Sequence, residues 1–294
     1  MKRVVFALLV LGCRGSNVDK ERASEMFTRV PLATAPGLSG LASDEHGGLW
    51  TISERGNRAY RITLDAATRP SLETFHIEGH DLSDLDLEAI ADLGGGKFAV
   101  GTEGRVPGVA TVLLAERRAA ALVITSDLVL SNADVGIEMA ANHGAEGLCG
   151  AGDTIVVAIE GAGGAGPDAR WAPIVRIENA KIVRTHKLAL TTATGKISAL
   201  DCTFAADGTI TAWAIERHFE VTKVVTFTLP PLGQGDERIT PTVLIDLGTV
   251  LNSQLNLEGI AHLADGRLVA VVDNQWKTLK GNSELLVFRP SALP

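Results

Sequence analysis

Acidic residues recur in this chain as pairs at a nearly constant spacing, and paired carboxylates can share a proton or hold a cation. Glu88 and Glu103, Glu146 and Glu160, Asp201 and Glu216, and Glu258 and Asp273 lie 15, 14, 15 and 15 residues apart. Ser39 and Glu54 repeat the 15-residue gap with serine in the first place. Each first member opens a short polar, small and apolar run, such as Ser39-Gly40-Leu41, Glu88-Ala89-Ile90 or Glu258-Gly259-Ile260. The midpoints fall at His46/Gly47, Gly95/Gly96, Asp153, Gly208/Thr209 and Asp265/Gly266. Glycine and aspartate tolerate the backbone angles of tight turns, so each unit reads as a β-hairpin whose end residues face each other.

Like charges at such cross-strand positions are about 5 Å apart at Cβ and repel. A divalent cation offsets that repulsion, and a purely oxygen donor set selects Ca²⁺ or Mg²⁺ over zinc. The first members, Glu88, Glu146, Asp201 and Glu258, are the expected ligands, because they start the innermost strands. Ser39, Glu54, Glu103, Glu160, Glu216 and Asp273 are expected around them, with Arg55 and Arg217 as local counter-charges. A purely architectural use is the competing reading, since carboxylates also accept backbone N–H bonds well. No single residue is assigned as the catalyst. His80, His143 and His218 are acid–base candidates near the same end, and Trp171 and Trp276 could stack on a ligand there. Trp50 and Trp213 fall on second strands and are expected to pack between sheets. Gly37-Leu38-Ser39-Gly40-Leu41 is not a nucleophile elbow, and no zinc motif, phosphate loop or dinucleotide fingerprint is present.

The elements that must position these residues are strands. Two further β-branched runs follow each of the first four hairpins: 60–64 and 73–77, 111–114 and 121–130, 174–177 and 181–190, and 224–229 and 242–247. Units of four strands recurring every 49, 58, 55 and 57 residues predict an all-β chain folded as a β-propeller of four-stranded antiparallel blades. The count gives five blades, or six if the longer intervals hide a degenerate copy. The last unit has one further strand, 284–288, so residues 26–32 are expected to complete it and close the ring.

The chain of 294 residues carries a formal charge of −8 with no Lys/Arg run, which argues against a nucleic-acid partner. Lys2 and Arg3 precede an apolar stretch from Val4 to Leu11, too short to span a bilayer but suited to an export signal over 1–12. Val10-Leu11-Gly12-Cys13 resembles a bacterial lipoprotein box, so Cys13 is the expected lipidation site. Residues 13–25 then form a polar tether and 26–294 the propeller, exported to the periplasmic face of a membrane or the cell surface. Cys149 and Cys202 sit at odd offsets from Glu146 and Asp201. Equal parity sends both side chains off the same face, so two buried free thiols are expected.

Gly37 through Ala42, Asp86-Leu87-Glu88-Ala89-Ile90, Ile215-Glu216-Arg217-His218-Phe219 and Leu257-Glu258-Gly259-Ile260 resemble the phytase-like family, named for an esterase-like activity of phytase. The resemblance implies an exported bacterial propeller acting on a small-molecule ester or phosphoester, with calcium as the implied cofactor. The function expected is a metal-dependent ester or phosphoester hydrolase with its site at the acidic channel mouth. The alternative is a non-catalytic, membrane-tethered propeller that binds a ligand or protein there. The sequence leaves the oligomeric state open.

Overall fold

The computed structural model describes residues 25–34, 37–166, 169–218, 221–249, 255–274 and 283–289. The expected export signal, Cys13, all but the last residue of the tether, and Trp276 lie outside these residues. The strands are β1 (Phe27–Pro31), β2 (Leu38–Ser43), β3 (Leu49–Ser53), β4 (Arg58–Leu64), β5 (Pro70–Glu78), β6 (Leu85–Gly94) and β7 (Lys97–Gly104). Next come β8 (Val109–Arg118), β9 (Ala121–Ser131), β10 (Ala145–Ala151), β11 (Thr154–Ile159), β12 (Trp171–Glu178), β13 (Lys181–Ala189) and β14 (Lys196–Phe204). The last are β15 (Ile210–His218), β16 (Val221–Leu229), β17 (Arg238–Ile239), β18 (Thr242–Asp246), β19 (Leu257–His262), β20 (Leu268–Val272) and β21 (Glu284–Phe288). A short helix, α1, covers Asn132–Val135, and a 3-10 turn covers Leu247–Thr249.

All of the strand runs read from the sequence are strands. The sheet orders are β1-β21-β20-β19, β10-β11-β12-β13-β17, β14-β15-β16-β18 and β2-β3-β4-β5-β9-β8-β7-β6. The longest sheet is two antiparallel four-stranded groups, β2–β5 and β6–β9, joined by a short parallel pairing of His76–Glu78 with Ala121–Val123. β1 pairs antiparallel with β21, so the segment before the first hairpin completes the last sheet as expected.

Side chains alternate across each strand and feed two different apolar layers. In β11, Ile155, Val157 and Ile159 face one cluster with Ala99 and Val112, whereas Val156 and Ala158 face another with Ala212 and Phe227. Trp50 is fully buried between Phe75 and Phe98, with ring centroids at 4.8 and 4.7 Å, and bonds the β2–β5 group to the β6–β9 group. A cluster of Val30, Leu38, Leu49, Val269 and Leu285 joins the last group back to the first. Sheets buried on both faces explain why β3 and β20 are buried at every residue and why β20 is a continuous apolar run.

The innermost strands β2, β6, β10, β14 and β19 contact one another in that order, and β19 returns to β2. Small residues make this approach possible. A Cβ added to Gly147 would lie 2.7 Å from Leu200 Cβ, and one added to Gly259 would lie 2.6 Å from the backbone carbon of Gly40. Gly40, Ala89, Gly147, Ala199 and Gly259 are therefore equivalent positions, each following the polar residue of its inner strand.

Two expectations need correction here. The inner-strand acids do not sit directly across from their partners. Register shifts between Leu87 and Ala89, Ala145 and Gly147, and Leu257 and Gly259 leave Glu88, Glu146 and Glu258 as bulge residues. In β14 the same shift falls between Ile197 and Ala199, so Ser198, not Asp201, is the equivalent residue. That three-residue displacement also overturns the free thiols. Counted from Ser198, Cys202 is four residues on, while Cys149 is three from Glu146. Opposite parity turns the two side chains toward each other, and they form a disulfide with a Cα–Cα distance of 5.7 Å.

The disulfide joins inner strands 53 residues apart. Closing a loop of that length commonly contributes about 2–4 kcal/mol. The double substitution C149S/C202S is expected to lower the melting temperature by several degrees in thermal unfolding followed by circular dichroism, and reductant should then have no further effect.

Candidate functional site at the carboxylate-lined end

Each inner strand carries a polar residue near its start, a bulge residue in every case but Ser39, and each second strand carries a polar residue one step past the partner of the residue before it. The inner set is Ser39, Glu88, Glu146, Ser198 and Glu258. Leu38 pairs with Ser53, Leu87 with Thr102, Ala145 with Ile159, Ile197 with Glu216 and Leu257 with Val272. The residues that follow the second partners are Glu54, Glu103, Glu160, Arg217 and Asp273. Glu216 is thus one position short of the ring. Its carboxylate points away and accepts bonds from Thr191 N–H (2.9 Å), Thr191 Oγ1 (2.7 Å) and Thr192 Oγ1 (2.6 Å). It clamps the segment leading into β14.

The remaining acids converge. Carboxylate oxygens of Asp86, Glu88 and Glu103 lie within 4.8 Å of one another, and so do those of Glu103, Glu146 and Glu160. Glu103 belongs to both clusters. Of the expected ligands, Glu88 and Glu146 are in these clusters and Glu258 is close enough to raise the proton affinity of both. Asp201 is elsewhere, accepting a 2.5 Å bond from the backbone N–H of His262. That bond joins β14 to β19 at the positions where the disulfide joins β10 to β14. Asp86 was not among the expected ligands. Its register partner is Glu103, and its place two residues before Glu88 is the signal that marks it.

Positive charge enters from one sector. Arg217 Nη2 is 2.6 Å from Glu258 Oε1, and Lys196 Nζ pairs with Glu160. Lys196 stands in β14 where Asp86 stands in β6, paired with Arg217 as Asp86 pairs with Glu103. Arg55 pairs with Asp86 at 3.2 Å, and Arg105 pairs with Asp84 at 3.4 Å on the surface. Ser39 Oγ donates to the Glu88 carbonyl (2.7 Å) and to Glu88 Oε2 (3.2 Å), while Ser198 Oγ donates to the Leu257 carbonyl (2.9 Å). The serines stitch adjacent inner strands where the other groups place acids.

These cations do not satisfy every oxygen. Among the described residues, Glu146 Oε1 and Glu258 Oε2 are buried without a hydrogen-bond partner, as is His143 Nδ1. Burial, reinforced by neighbouring carboxylates, raises the proton affinity of several acids. Glu54 is pushed up to about 8 by burial and then by Asp273, Glu258 and Asp86. Glu146 is pushed to about 8 by burial, Glu258 and Glu103, and Glu103 to about 7 by burial and Asp86. Glu88 lies well above the ordinary carboxylate range for the same reasons, burial first. Burial holds His143 below its usual range, with the Lys196 charge adding to it.

Of the other aromatic and histidine candidates, Trp213 stacks on His262 at 4.2 Å between β15 and β19, and Trp171 is buried under the Lys187 ammonium. His80 Nδ1 bonds the Asp81 carbonyl at 2.9 Å in an exposed loop.

The chain belongs to the phytase-like family described as having the esterase-like activity of phytase, whose sequence profile matches residues 33–278. No curated protein sequence matches it. The solved structures that share its all-β architecture are β-propeller enzymes. The β-xylosidase RS223 superimposes with a TM-score of 0.53 at 9% identity, covering 88% of this chain and 94% of that one. The GH43_1 enzyme from Xanthomonas citri, complexed with xylose, gives 0.53 at 8% identity over 92% of each chain. The exo-β-1,3-galactanase from Phanerochaete chrysosporium gives 0.50 at 8% identity, over 88% of this chain and 64% of its own.

Asp201 offers a test of how burial loads this channel. Burial raises its pKa from 3.8 to about 7 despite the His262 N–H. The folded state then binds the proton more tightly than the unfolded chain. Stability from this group is unaffected below pH 4 and falls as pH rises toward 7, by a few kcal/mol in total, at about 1.4 kcal/mol per unit. D201N is expected to be more stable than the parent at pH 8 and comparable at pH 4, measured as the difference between urea-unfolding midpoints.

Proposed function

We propose that the chain is a metal-dependent ester or phosphoester hydrolase working at the carboxylate-lined mouth of a five-bladed propeller. The five blades are read from the four-stranded groups β2–β5, β6–β9, β10–β13, β14–β16 with β18, and β19–β21 with β1. Family membership supports hydrolysis, and one observation supports the position. Two carboxylate clusters overlap at Glu103 in a mouth that also carries Lys196 and Arg217.

The donor set fits a hard cation. It is all oxygen, and Asp86, Glu88 and Glu103 bring three carboxyl oxygens within 4.8 Å of one another. Asp86, Glu88 and Glu103 would hold the ion, with Ca²⁺ favoured by the flexible carboxylate geometry it accepts. When bound, such an ion polarises an ester or phosphoryl oxygen and acidifies water. Arg217 and Lys196 bring positive charge to the same mouth and attract an anionic or oxyanionic group. His143, beside Lys196 and with Nδ1 unpartnered, is our choice of proton acceptor. An acidic site thereby becomes compatible with an anionic substrate. We also read residues 1–12 as an export signal and Cys13 as a lipid anchor, which would hold the propeller at a membrane surface.

In a panel of aryl esters, phosphomonoesters and lactones assayed with and without Ca²⁺, at least one class is expected to be turned over in a Ca²⁺-dependent manner. E103Q should reduce that turnover at least 100-fold while its far-UV spectrum stays unchanged. No turnover across the panel would sink the hydrolase, and a Ca²⁺-induced rise in melting temperature without turnover would leave a binding propeller.

A further inference from the structure

The two carboxylate clusters are not equivalent, because only one contains an ammonium. Asp86, Glu88 and Glu103 come from β6 and β7, and the cation paired with one of their carboxylates is the exposed Arg55, engaged with Asp86. Glu103, Glu146 and Glu160 draw on β7, β10 and the end of β11, and the Lys196 ammonium reaches them from β14 to pair with Glu160. The group that would otherwise offer positive charge, Arg217, is engaged with Glu258. Glu146, 7% exposed, still has an oxygen without any partner. The second cluster is therefore a set of three carboxyl donors, one of them with an unsatisfied oxygen, with a tethered ammonium at its edge.

The pseudo-symmetry of the ring explains the substitution. Lys196 and Asp86 occupy the same place in their strands, two residues before Ser198 and Glu88. In β6 that place supplies a ligand. In β14 it supplies a charge. Its ring neighbours at the same place, Gly37, Gly144 and Asn256, carry neither. An ammonium on a four-carbon stem reaches a carboxylate cluster as a point charge and leaves it when the stem is shortened or neutralised.

We propose that Glu103, Glu146 and Glu160 form a cation site whose resident cation is the Lys196 ammonium, and that removing this charge opens the site to a divalent ion. This inference rests on the metal-binding reading only for the first ion, at Asp86, Glu88 and Glu103. The resident ammonium would keep the count at one ion and leave Glu103 bonded to a single metal.

Native mass spectrometry and calorimetric titration with Ca²⁺ alone test this on the parent protein, K196M, K196R and K196M/E160Q. The parent is expected to bind one ion, K196M two, and K196R and K196M/E160Q one each. Equal counts of one or more in the parent and K196M overturn the inference while leaving the metal-binding reading intact, as does a parent that binds two. A parent that binds none with a K196M that binds one removes the first site but upholds the second. Failure of both to bind any ion overturns both. K196R guards against misfolding: it keeps the charge, and its melting temperature should stay within a few degrees of the parent.

Discussion

Backbone-to-backbone contact among the innermost strands is the constraint from which the rest follows. Glycine or alanine after each inner polar residue lets β2, β6, β10, β14 and β19 approach until a single added methyl would collide with the neighbouring main chain. A ring this tight has little room along its axis. Every polar residue that starts an inner strand, and every one that ends a second strand, is brought to the same crowded end. The convergence of acids is thus a consequence of closure, and the repulsion it creates has to be managed locally.

The molecule manages it unevenly. Two groups replace the inner acid by serine, whose hydroxyl binds the next strand's carbonyl and adds no charge. One group replaces the outer acid by Arg217 and adds Lys196 beside it. Protonation handles part of the remainder, since burial and mutual repulsion push Glu54 and Glu146 to about 8. A structure built only for rigidity would have little use for buried acids with unpartnered oxygens. Such groups cost about 1–3 kcal/mol each when left unsatisfied, a cost the fold carries at this end of the ring.

At the opposite end of the inner strands the same repeat positions do structural work. The Cys149–Cys202 disulfide links β10 to β14, and the Asp201 carboxylate on the His262 amide links β14 to β19. The clustered acids and the fastening of the ring therefore use different ends of the same strands, about three residues apart in sequence. Substitutions near the fastening end can alter stability without entering the mouth.

Strand positions, hairpin turns and the use of residues 26–32 to complete the last sheet were legible in the sequence, because alternation, turn residues and repeat spacing are local. So was the end of the hairpin that Glu88, Glu146, Glu54, Glu103, Glu160 and Asp273 occupy, which their spacing fixes. The fourth repeat is deceptive because its carboxylate, Asp201, is not the residue equivalent to Glu88 and Glu146. Ile197-Ser198-Ala199-Leu200 matches Leu38-Ser39-Gly40-Leu41 residue by residue, and this is the pattern that sets the true register. Shifting the anchor by three changed the parity of Cys202 and moved Asp201 and Glu216 out of the ring. Only the folded chain decided which acids share space, that Asp86 joins them, and that Lys196 enters from another strand. Those facts depend on bulges and on contacts between strands distant in sequence, such as Lys196 with Glu160 and Arg217 with Glu258. A one-residue shift in pairing turns a side chain to the other face, and no local pattern records it.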